Sequence, residues 1–151
     1  GGREMGTCRP AAVQRGAFIF CRTTLAVLLW AALLLPAPWL VALCALILAA
    51  SAILGVRRAP LVALYAATFG RRWPGGTEVL DERGMRFAHT LGTLLVGGTA
   101  VLLYAAPRAG LAALFVVAVL KTVGACGFCT ALRLYRCLTD ESCCAFLKRR
   151  A

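Results

Sequence analysis

Charge is scarce in this sequence. Only 15% of its 151 residues are Asp, Glu, Lys or Arg, whereas 61% are hydrophobic and the mean hydropathy is +0.81. Soluble domains carry about 25% charged and about 45–50% apolar residues. This chain has too little polar surface to wrap its apolar side chains, so the solvent around most of it is lipid, and one domain accounts for its length. Acidic residues are scarcest, six in all, and none lies inside a long apolar run, which leaves no paired-carboxylate constellation. Histidine occurs once, as His89, and lysine only at Lys121 and Lys148. There is no P-loop, H-E-x-x-H or G-x-S-x-G, which removes the phosphate-cradle, zinc-protease and serine-hydrolase readings.

What is present is arginine, and its placement is informative. The net charge of +11 would suit nucleic acid if the cations lined one face. Instead they punctuate apolar segments, the pattern that orients a membrane protein and suits an anionic inner leaflet; nucleic acid is not an expected partner. The preponderance of arginine over lysine fits the codon usage of a GC-rich genome. The chain opens on Gly1 rather than methionine, so Met5 is one candidate for a nearby natural start.

From Thr23 to Val56 no side chain is charged. A single crossing needs about 20 residues at about 1.5 Å each, so this run holds two, divided at Pro36-Ala37-Pro38 with Trp39 at the interface. The sequence predicts an all-α fold: a four-helix transmembrane bundle of two hairpins, with spans near residues 17–35, 39–55, 87–106 and 109–130. A short interfacial helix over 60–70 joins the hairpins, with Pro60 in its first turn and Leu61, Leu64, Tyr65, Thr68 and Phe69 at helical spacing. Residues 139–151 form a cytoplasmic tail, and the whole of 1–151 is one integral membrane domain. Arg3, Arg9, Arg15 and Arg22, then Arg57 to Arg86, then Arg133 to Arg150 fall on one side only with four crossings and both termini cytoplasmic, leaving Arg108 alone at the hairpin tips. A cleaved signal peptide is disfavoured because the apolar run continues for a further span. A lipoprotein box fails at Leu43, too bulky before Cys44. Small residues, notably Ala88, Gly92, Gly97, Gly98, Gly110 and Gly124, predict that the third and fourth spans pack most tightly.

Eight cysteines in so apolar a chain are not a secreted disulfide scaffold. Cys126-Gly127-Phe128-Cys129 is a C-x-x-C, and Cys126 and Cys129 are candidate redox thiols, one turn apart if the helix continues through them. A position in the C-terminal half of a span disfavours thiolate, and the alternative is that both are compact fillers. Cys8, Cys137, Cys143 and Cys144 match no zinc-knuckle spacing, so no metal and no cofactor are expected. Adjacent cysteines near a membrane are acylation candidates only in a eukaryotic host. Cys21 and Cys44 read as lipid- or core-facing bulk. Lys121, deep in the last span, is a candidate buried cation by default. No span carries a carboxylate, so the sequence leaves it neutral, snorkelling, or meeting an outside anion or carbonyl, and its place less than three turns before Cys129 lets it bias a buried thiol or a quinone-like ligand. His89 reads as interfacial beside Arg86, with a proton relay to Lys121 left open.

Cys8-Arg9-Pro10, Pro60-Leu61, Arg86-Phe87-Ala88, Gly127-Phe128-Cys129 and Leu134-Tyr135 together resemble a bacterial membrane family, the domain of unknown function DUF4395, over nearly the whole chain. The resemblance implies four spans in a bacterial plasma membrane. The family typically has a second cysteine three residues after the position of Cys129, where this chain has Leu132; here Cys126 stands one turn earlier instead. Some members look joined to thioredoxin-like domains, which implies a thioredoxin-like or sulfur-carrying partner. Three functions follow as expectations: a membrane thiol protein passing electrons or sulfur through Cys126 and Cys129, a non-catalytic scaffold or assembly subunit, or a small-solute transporter. The last is disfavoured because Lys121 is the only charge well inside a span. A homodimer is compatible with so small a bundle.

Overall fold

The computed structural model describes residues 10–72, 76–128 and 130–138. Four long helices dominate them: α1 (Arg15–Leu34), α2 (Pro38–Leu54), α4 (Glu82–Ala105) and α5 (Pro107–Ala125), with the short α3 (Pro60–Thr68) and α6 (Thr130–Leu138). The all-α class holds. Both hairpin tips use one device. The first helix closes on a backbone bond, Leu35 N–H to the Ala31 carbonyl or Ala106 N–H to that of Leu102. The next opens with Pro38 or Pro107 in its first turn, where proline's fixed φ is helical and its missing N–H costs nothing.

α4 starts earlier than its apolar run, at Glu82, because Asp81 caps it: the carboxylate accepts from Arg83 N–H (3.2 Å) and Gly84 N–H (3.3 Å). α5 ends earlier than expected, at Ala125 rather than near Thr130. α2 ends at Gly55, whose φ of +82° and ψ of 168° belong to backbone space that only glycine enters cheaply.

α1 packs on α2 and α5, and α4 packs on α2 and α5, so the four long helices close a ring. Leu29, Val41, Cys44, Leu48, Val96, Leu114 and Ala118 fill its centre. Trp30 Nε1–H donates to Thr122 Oγ1 at 2.9 Å, tying α1 to α5. The prediction that α4 and α5 pack most tightly is corrected: the most extensive pair is α2 against α4. The small residues do not form one seam. A Cβ on Gly97, Gly98 or Gly124 would meet nothing within 4 Å, whereas one on Gly110 would strike the Leu102–Leu103 backbone at the hairpin tip. Gly92 instead faces Leu48 of α2 and Lys121 of α5.

Outside the ring, large apolar side chains point away from the protein on every long helix, among them Val27, Leu46, Ile53, Leu94, Val101, Phe115 and Val116. Water does not tolerate so extensive an apolar surface on a monomer. Three helices, α1, α4 and α5, are long and apolar enough to cross a membrane; α2, at 17 residues, is shorter.

A two-stranded ribbon that nothing in the sequence announces sits at one end. β1 (Pro10–Gln14) pairs antiparallel with β2 (Thr77–Asp81), Pro10 opposite Asp81 and Gln14 opposite Thr77. Below it, Val13, Ala17, Phe18, Val56 and Met85 form a second small core with Val62, Tyr65 and Leu80 packed against it. α3 lies against α1, where Phe20, Tyr65 and Phe69 gather with ring centroids 5.6–6.0 Å apart.

Candidate functional site

A cavity of about 130 Å³ lies between the long helices, toward the ribbon end. Its walls are aliphatic, with Leu25 from α1, Leu48 from α2, Leu95 from α4 and Val117 from α5. Four groups of different chemistry reach the same space: the Cys21 thiol and Arg22 from α1, the His89 imidazole from α4, and Lys121 from α5. No carboxylate belongs to its described lining.

The helices deliver these groups for identifiable reasons. Cys21 and Leu25 are one turn apart on the buried face of α1. Arg22 follows Cys21 and lays its guanidinium over the Phe18 ring, 3.9 Å from the centroid. His89 and Gly92 are three apart, hence on one face of α4. A Cβ on Gly92 would come within 2.9 Å of Lys121 Nζ, so the glycine's bare backbone is what lets the ammonium cross there. Lys121 is near enough for its charge to act on Cys21, Cys44 and His89. His89 Nδ1 is buried and makes no hydrogen bond among the described residues.

The C-x-x-C is placed differently from the sequence expectation. It does not lie on a continuous span. α5 closes at Cys126, whose N–H reaches the Thr122 carbonyl at 3.0 Å, and the Gly127 and Phe128 N–H groups turn back to the Gly124 and Val123 carbonyls, each at 3.2 Å. Gly127 then takes φ +104°, a left-handed conformation that closes helices and favours glycine. Cys126 is exposed, in contrast to buried Cys21 and Cys44. Arg133 stacks toward the Phe128 ring at 5.4 Å. α6 begins at Thr130 and packs along α4, with Tyr135 against Phe87 at 5.5 Å. Thr130 and Ala131 also wall the cavity, so the segment carrying the motif borders it on both sides, through Gly124 and these two residues.

Cys129 itself lies outside the described residues, as do Cys8, Cys143 and Cys144; Cys137 falls within α6. Among the described residues no group of three or more His, Cys, Asp or Glu is placed to hold a metal ion.

Of the residues singled out from sequence, Lys121 and His89 are brought together, and Cys126 stands apart from them. Sequence reasoning missed Cys21 and Arg22. The available signal was their position: a thiol and a cation two turns into the first span, on the turn that neighbouring spans must cover.

Comparison with known proteins gives a family match. The model of a family described as a domain of unknown function, DUF4395, aligns with residues 17–139. No curated protein and no solved structure matches the chain.

Proposed function

The chain belongs to the DUF4395 family, and from that premise we propose an integral membrane thiol protein of the bacterial plasma membrane. In this reading α1, α2, α4 and α5 all cross the bilayer, both termini are cytoplasmic, and Cys126 and Cys129 exchange electrons or sulfur with a thioredoxin-like or sulfur-carrying partner. The 17 residues of α2 span about 25 Å at about 1.5 Å per residue. That is short of about 30 Å of hydrocarbon, a mismatch that local thinning accommodates. Trp39 stands at one end of α2 and the Arg57–Arg58 turn at the other. Arginines of the ribbon end, the α3 segment and α6 favour the cytoplasmic leaflet.

The observation that carries the thiol reading is the helix interruption at Gly127, which leaves Cys126 exposed at the end of α5 instead of packed in a span. The exchange balances simply. A Cys126 thiolate attacks a partner disulfide, forming a mixed disulfide and releasing one partner thiolate. Cys129 then attacks that mixed disulfide, so the partner leaves as a dithiol and the pair becomes a disulfide, with two electrons transferred.

The test is differential alkylation in isolated membranes: block free thiols, reduce, then tag what was released. The expected result is tagging of Cys126 and Cys129 after reduction, abolished at either position when the other is replaced by Ala. Complete blocking of both before reduction, under oxidising and reducing growth alike, sinks the reading.

A further inference from the structure

We propose that the pocket between the ribbon and α3 is a binding site for the headgroup of an anionic phospholipid, a phosphodiester that carries a free hydroxyl. The proposal rests on the membrane placement of α1 and α2 given above and uses none of the thiols.

Depth comes first. Arg57 and Arg58 form the turn just after α2, so they stand where a crossing helix leaves the hydrocarbon. α3 follows, and it leaves Leu64 exposed, as is Phe69 at its C-terminal end. A short helix with outward apolar side chains beside a row of arginines suits the boundary between acyl chains and headgroups. The pocket lies between that helix and the arginine turn, at the level of the lipid phosphates.

Chemistry selects the head. The pocket has a volume of about 340 Å³, within the usual range of ligand sites, about 300–1,000 Å³. Val13 of β1, Ala17 of α1, and Val62 and Ala66 of α3 give it an apolar wall, and Arg57 and Gln14 are its polar groups. Arg57 is exposed and is in no ion pair among the described residues; the pair that forms at this end joins Arg86 to Glu82. A guanidinium presents a fork of donors that matches phosphate oxygens. Arg58, Arg71 and Arg72 are exposed close by in sequence, so an anionic head gains more here than a zwitterionic one. Gln14 Oε1 is buried and accepts no hydrogen bond among the described residues, which leaves an acceptor short of a donor. The terminal torsion of a glutamine is soft, so a small turn of the amide brings this oxygen to the pocket. An ionised phosphodiester has no proton to donate, whereas a hydroxyl on the headgroup does.

The test starts from the full chain in phosphatidylcholine nanodiscs; a chain that stays in the aqueous phase overturns the membrane placement and the proposal with it. Native mass spectrometry of the embedded chain, with each test lipid added at rising fraction, then reads which lipids are held. The expected result is one phosphatidylglycerol held about tenfold more tightly than phosphatidylcholine or phosphatidylethanolamine, the worth of a charge-assisted hydrogen bond. Phosphatidylethanol, with the same charge and no hydroxyl, should fall between them. Arg57→Gln should weaken phosphatidylglycerol by about tenfold. Gln14→Leu should erase the difference between phosphatidylglycerol and phosphatidylethanol and leave the latter unchanged. Arg71→Gln, at an exposed arginine outside the pocket lining, should change phosphatidylglycerol by less than about twofold. The proposal is overturned by equal retention of phosphatidylglycerol and phosphatidylcholine, or by equal losses in the Arg57 and Arg71 variants, which would mean diffuse attraction. It is also overturned by a hydroxyl preference that is absent or survives Gln14→Leu. Displacement of the lipid by sn-glycerol 3-phosphate at comparable concentration would assign the pocket to a soluble phosphate and overturn it too.

Discussion

The bond between α1 and α5 offers a direct test of how the ring of helices is held. Thr122 Oγ1 already donates to the Ala118 carbonyl at 2.8 Å, so its remaining role is to accept from Trp30 Nε1–H at 2.9 Å. Thr122→Val keeps the volume and leaves the part-buried indole N–H without this acceptor. Interhelical bonds in membrane proteins average about 0.6 kcal/mol and reach about 1.7 kcal/mol in double-mutant cycles, and a stranded buried donor costs about 1–3 kcal/mol. A loss of about 1–2 kcal/mol is expected. Trp30→Phe also removes the bond and weakens the edge-on contact with Phe115, where the rings sit 5.9 Å apart at 87°. Such contacts contribute about 0.5–1.5 kcal/mol beyond area, so about 2 kcal/mol is expected. Both replacements act through one bond, so the double variant should lose about 1 kcal/mol less than the sum. Reversible unfolding in mixed micelles, titrated with a denaturing detergent, measures all three. A coupling within about 0.3 kcal/mol of zero would show that the bond does not hold α1 to α5, and that packing alone does.

Three further outcomes follow from local geometry. Gly55→Ala forces a side chain into glycine-only backbone space and sets a methyl 2.8 Å from Glu82 Oε1; a loss of about 2 kcal/mol or more is expected in the same titration. Asp81→Ala removes the cap of α4, costing about 1 kcal/mol, and amide exchange should rise over Glu82–Met85 before anywhere else in that helix. Leu114→Ala empties a fully enclosed position and should cost about 2–5 kcal/mol; a loss below about 1 kcal/mol would mean that the ring collapses around the gap.

The helices were legible because lipid imposes a crude rule, length and apolarity, that a sequence displays openly. Pro36-Ala37-Pro38 and Pro107 marked both hairpin tips, and the α3 segment announced itself through Pro60 and its spacing. The ribbon was not legible. β1 and β2 are short, lie far apart in the chain, and pair only because α1 and α4 begin at the same end of the bundle. The break at Gly127 is hidden for a related reason: apolar residues continue on both sides of it, so composition carries no boundary. A glycine inside an apolar run says little until its φ is known. Cys21 was read as filler because a lone cysteine in a span has no visible partner.

Sequence by itself determined the solvent, the helical class, the number of long apolar segments and the gathering of arginines around three of the segment boundaries. These are sums over composition and short-range spacing, and no folding is needed to evaluate them. Tertiary structure alone decided which helices touch, that Gly92 yields its place to Lys121, and that Cys21, Arg22, His89 and Lys121 share one space. Those facts depend on the rotation and register of four helices about their axes. Lipid leaves both undetermined, because it rewards every apolar face alike; only side-chain packing chooses among them.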